Sequence, residues 1–66
     1  MRISVNGEET HIGDKADIMT LLSNLNINPQ SVVIELNGDI IDKSSYTGTR
    51  LNEDDLLEII HFVGGG

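Results

Sequence analysis

A chain of 66 residues, 38% hydrophobic and 23% charged, holds one small domain. It buries only about 60% of the surface its unfolded form exposes, too little core for a walled catalytic pocket. Eleven acidic side chains against four basic ones leave a net charge of −7, which disfavours nucleic acid and anionic membrane surfaces and favours a partner with a basic face. There is no cysteine, hence no disulfide framework or thiolate metal site, and neither a signal peptide nor a membrane-length apolar run, so the expected location is the cytoplasm.

Met1, Ile3 and Val5 alternate with Arg2 and Ser4, the period of a half-buried strand. Asn6-Gly7 follows, the pair that best tolerates the positive φ angles of a type I′ turn, and residues 8–12 form the return strand with Thr10 and Ile12 toward the core. After a loop at 13–16, Asp17 suits an N-cap. Ile18, Leu21, Leu22 and Leu25 then fall at i, i+3, i+4 and i+7 on one helical stripe. A helix of about two turns does not persist alone and must lie on a sheet. Pro29 forces the residue before it out of helical geometry and closes this element.

Val32, Ile34 and Leu36 alternate with Val33 and Glu35, and Asn37-Gly38 predicts a second hairpin with a short return at residues 39–42. Residues 43–50 are polar and read as a connecting loop, with room for one helical turn, and 51–55 read as a turn. The last strand covers 56–62, with Leu57 and Ile59 on one face and Glu58, Ile60 and Phe62 on the other. One helix covering one face of one sheet is the only layer arrangement these elements allow. The expected core is Ile3, Val5, Ile18, Leu21, Leu22, Leu25, Ile34, Leu36, Leu57 and Ile59.

Three features bear on function. His11 and His61 lack any placed second ligand or nucleophile and read as ordinary strand histidines. Glu53, Asp54 and Asp55 lack the spacing of a calcium loop and read as a solvated acidic turn. Ile60 and Phe62, with Val33, form an apolar cluster on the face away from the helix and predict a partner-docking site. After Val63 the chain ends Gly64-Gly65-Gly66, where glycine has no turn or cap to serve. A tail without Cβ atoms is narrow, and three residues reach about 10 Å. It can carry the Gly66 carboxylate into another protein's active site; the alternative is a frayed end.

The ordered set Val5-Asn6-Gly7-Glu8, Ile18-Met19-Thr20-Leu21-Leu22, Val33-Ile34-Glu35-Leu36-Asn37-Gly38 and residues 57–66 resembles the ThiS family of sulfur carriers, within the ubiquitin-like β-grasp superfamily. The resemblance implies an α+β fold. It consists of a mixed sheet of four to five strands with one main helix on one face (residues 1–63), followed by a flexible glycine tail (64–66). It further implies a protein that is not itself an enzyme and binds no permanent cofactor or metal. A ubiquitin-activating-like adenylyltransferase adenylates the Gly66 carboxylate with ATP, a persulfide donor converts it to a thiocarboxylate, and thiazole synthase receives the sulfur. Gly64 and Gly65 serve as the recognised access path. The small subunit of molybdopterin synthase and ubiquitin-like modifiers joined to lysines share this pattern and stand as alternatives. Two departures from the family are visible: Asp42-Lys43-Ser44-Ser45-Tyr46 replaces a Pro-Arg segment carrying an aromatic, and Asp54-Asp55 replaces a Gly-Asp turn. Asp tolerates left-handed geometry moderately well, so that turn is expected to survive.

Overall fold

Alternating apolar positions and two Asn-Gly turns produce the two hairpins on which the rest of the chain assembles. In the computed structural model, which describes residues 1–62, strand β1 (Arg2–Val5) pairs antiparallel with β2 (Glu8–His11), and β3 (Val32–Leu36) with β4 (Asp39–Ile41). Asn6 and Asn37 take φ values of 51° and 50°, followed by Gly7 and Gly38 at 84° and 92°, as a type I′ turn requires. Strand β5 (Leu56–His61) enters between the hairpins, parallel to β1 and antiparallel to β3. The sheet order is β2-β1-β5-β3-β4. The strand latest in sequence is therefore the central one.

Helix α1 (Ile18–Asn24) starts at Asp17, whose Oδ1 accepts from the Thr20 N–H at 2.8 Å and the Thr20 hydroxyl at 2.9 Å. Those two bonds hold the Asp17 carboxyl below the usual carboxylate range. A depressed folded-state value contributes stability above the unfolded value of about 4 and loses it as pH falls through the folded value. Asp17→Ala should therefore destabilise the domain by about 1 kcal/mol at neutral pH, with the deficit shrinking in acid. Chemical denaturation at pH 7 and pH 3 checks this.

The helix is shorter than its apolar stripe. It closes in a Schellman arrangement at Asn26 (φ 57°), with the Ile27 N–H donating to the Leu22 carbonyl at 2.9 Å and the Asn26 N–H to the Ser23 carbonyl at 3.1 Å. Leu25, expected in the core, is the C-cap and is 40% exposed, while Ile27 turns back and packs against the core in its place. The left-handed residue redirects the chain before the fourth rung of the stripe can bury. The stop comes from Asn26 rather than from Pro29; Asn28 is extended, and its side chain caps the 3₁₀ turn Pro29–Ser31 through the Gln30 N–H.

The other nine expected core residues pack between α1 and the sheet, with Leu36 only half-buried. Five further residues join them: Ile12, expected to point inward, together with Ala16, Val32, Tyr46 and Leu51. Tyr46 and Leu51 come from the stretch expected to be polar loop and turn, yet are 1% and 2% exposed. The 3₁₀ turn Lys43–Ser45 aims Tyr46 inward, and the Met19 N–H donates to its carbonyl, so this connection seals the sheet edge beside α1. Burial raises the Tyr46 phenol above its ordinary value. No helix among the described residues is long and apolar enough to cross a membrane.

Candidate partner-docking face and the strand leading to the glycines

Strand β5 precedes the glycine segment, and both hairpin asparagines hold it. Asn37 donates its backbone N–H to the Leu56 carbonyl at 2.8 Å and accepts the Leu56 N–H on Oδ1 at 2.9 Å. Its Nδ2 donates to Asp55 Oδ1 at 3.0 Å. At the other end β1 pairing stops at Val5↔Leu57, and the Asn6 side chain takes over. Its Oδ1 accepts the Ile59 N–H at 2.7 Å, and its Nδ2 donates to the Ile59 carbonyl at 3.3 Å. A side-chain amide carries the same donor and acceptor as a peptide, so Asn6 prolongs the ladder by one rung where the backbone has turned away. Asn37 thus fixes the start of β5 and Asn6 its middle, while pairing with β3 carries it on to His61.

The acidic turn that launches β5 is only partly solvated. Asp54 stands at φ 68°, the left-handed geometry anticipated for this turn. Asp55, expected to be solvated, is buried: it accepts the Asn52 N–H at 2.8 Å and the Asn37 amide, closing the turn from inside. Asp54 and Glu53 engage Arg2, whose guanidinium lies 3.0 Å from Asp54 Oδ1; that hydrogen bond, then the charges of Asp54, Glu9 and Glu53, raise its pKa. Among the described residues no three His, Asp or Glu side chains converge on a possible metal position. His11 lies 3.1 Å from Glu9, and His61 is exposed on the helix side of β5 beside Leu25 and Ile27.

The face away from α1 gathers the expected docking residues. Val33 and Ile60 are directly opposed across β3 and β5, with Val33 half-buried and Ile60 47% exposed. Phe62 is 42% exposed, and its N–H still donates to Ser31. Lys43 Nζ stands 5.1 Å from the Phe62 ring centroid, so a cation covers one side of that ring. Sequence reasoning missed Ile40 and Leu56, the two most exposed large apolar residues, which lie on the same face. The two-residue turn at Asn37-Gly38 was a usable signal for Ile40, since it fixes Glu35 opposite Ile40. Leu56 had a signal too, since the alternation of residues 56–62 sets it on the face of Glu58, Ile60 and Phe62. Gly64, Gly65 and Gly66, and the domain boundary after residue 63, lie outside the described residues.

A five-stranded mixed sheet with parallel β1 and β5 at its centre, one helix across one face and an apolar opposite face defines a ubiquitin-like β-grasp protein. Residues 2–66 match the ThiS family, and the chain belongs to that family. It superimposes with a TM-score of 0.86, at 29% identity and full coverage of both chains, on the crystal structure of a thiamine biosynthesis protein (ThiS) from Geobacter metallireducens. It is 40% identical over 53 residues, 80% of each chain, to the sulfur carrier protein ThiS of Bacillus subtilis. It is also 38% identical over all 66 residues to a thiazole synthase of Paramagnetospirillum magneticum, where it spans only 20% of that protein's length.

Proposed function

We propose that this chain is the sulfur carrier of thiamine thiazole biosynthesis, with the Gly66 carboxylate as its working group. The observation that carries this reading is a family match running through residue 66 on a β-grasp fold. A carboxylate is ionised at neutral pH and a poor acylating group. A ubiquitin-activating-like adenylyltransferase would join it to AMP from ATP, releasing pyrophosphate. Sulfur from a persulfide donor would displace AMP, and the resulting thiocarboxylate would deliver sulfur to thiazole synthase. All catalytic groups then belong to the partners, in the cytoplasm, and Gly66 is a substrate site. Gly64 and Gly65 give a path narrow enough for a partner's groove to close around.

The occurrence of a related domain inside a thiazole synthase chain supports that synthase as the acceptor. Intact-mass analysis of the protein recovered from cells tests the reading. A fraction heavier by the exchange of one oxygen for one sulfur is expected. High-mass ladders would instead show a protein modifier, and a thiocarboxylate consumed only by molybdopterin synthase would assign the other pathway.

Val33, Ile60 and Phe62 are the proposed docking contacts. A charge on this exposed face costs the isolated fold little but must be desolvated in an apolar interface. Ile60→Asp and Phe62→Asp should each leave the thermal midpoint within a few degrees of the parent and weaken partner binding about tenfold or more, read by titration calorimetry.

A further inference from the structure

Among the described residues, four of the five exposed large apolar side chains, Ile40, Leu56, Ile60 and Phe62, share the sheet face that α1 leaves uncovered. At the middle of that face the register sets Glu35 directly opposite Glu58, on the adjacent strands β3 and β5. Val33 and Ile60 form the next rung toward the end of β5, Ile40 flanks Glu35 on β4, and Leu56 lies toward the start of β5. Side chains directly opposed on one face stand about 5 Å apart at Cβ, and two like charges so placed destabilise a sheet.

Two of the chain's four cationic side chains are engaged elsewhere. Arg2 holds Asp54 and Lys43 lies over Phe62, while Arg50 pairs with Asp17 through the backbone. Among the described residues no ion pair includes Glu35 or Glu58. The pair weakens the free domain, and both carboxylates lack a counterion there.

We infer that this face docks onto a basic patch of thiazole synthase in which one arginine enters between Glu35 and Glu58 while apolar side chains cover Ile40, Leu56 and Ile60. This rests on the carrier reading above. A guanidinium is planar, permanently charged and carries five donors, so it can bond two facing carboxylates at once, which an ammonium does with less geometric definition. The surrounding apolar side chains exclude water on docking and strengthen each of those bonds. A second copy of this chain fits poorly, because a two-fold contact would set one carboxylate pair against the other in a molecule already at −7. A free divalent cation would find two carboxylates where it needs six or more oxygens or a set of retained waters.

Titration calorimetry of the full chain with purified thiazole synthase of the same organism tests the inference. Glu35→Gln and Glu58→Gln should each weaken binding roughly tenfold or more, and the double variant should lose little beyond either single change, because one cation serves both. Relief of the like-charge contact should raise each thermal midpoint by roughly 1–8 °C. Parent-like affinity of both glutamine variants beside weak binding by Ile60→Asp would overturn the arginine contact and keep the docking face. Parent-like affinity of all three would overturn the face itself. Lowered midpoints in the glutamine variants would show that the carboxylates are satisfied within the domain and would also overturn the inference.

Discussion

Removal of Gly66, or conversion of its carboxylate to an amide, should abolish ATP–pyrophosphate exchange with the activating adenylyltransferase while the thermal midpoint stays unchanged. The nucleophile toward the α-phosphate of ATP is the carboxylate oxygen in the proposed reaction. An amide is a far weaker nucleophile, and a carboxylate one residue short falls about 3.5 Å from the required position. Displacements of 1 Å already cost about a hundredfold in well-aligned reactions, so the expected loss is complete within detection. The described domain ends its pairing at Phe62, four residues earlier, so neither change touches the fold. Gly65→Val should impair the exchange without stopping it, since a β-branched side chain both widens the segment and restricts its angles. Exchange at the parent rate by the truncated or amidated protein would remove Gly66 from the chemistry.

Leu22→Ala should lower stability by about 2–5 kcal/mol, against a total of roughly 3–10 kcal/mol for a domain of this size. Leu22 is fully buried beneath the sheet, and its carbonyl also receives the Ile27 N–H that closes the helix. The cavity would sit between α1 and the central strands, where a thin core has little to collapse inward. A midpoint drop of at least about 8 °C is expected by differential scanning calorimetry. Leu25→Ala, three residues along the same stripe, should cost less than about 1 kcal/mol, because Leu25 is 40% exposed at the C-cap. Equal losses for the two substitutions would return Leu25 to the core and contradict the Schellman ending.

What the sequence determined by itself is local. Each Asn-Gly turn forces its flanking residues into one register, so β1–β2 and β3–β4 were legible, as was the Asp17 cap of α1. Alternation in residues 56–62 separated Leu57 and Ile59 from Ile60 and Phe62 before any partner strand was known, and the candidate docking contacts followed from that. The terminal glycines stood out because no local structural duty accounted for them.

Tertiary structure alone decided where these pieces lie. Placing β5 between β1 and β3 depends on pairings across some fifty residues in one direction and about twenty-five in the other, and no local pattern encodes such distances. The same placement explains why Asn6 reads as a turn residue yet acts as a rung beside Ile59, and why Glu35 meets Glu58. Tyr46 and Leu51 were invisible as core because single apolar residues in a polar stretch carry no period; they bury because the connection from β4 to β5 must cross the edge of the helix layer. Leu25 failed in the opposite sense. Periodicity assumes that the helix continues, and one left-handed Asn26, stabilised by two backbone hydrogen bonds, ended it first.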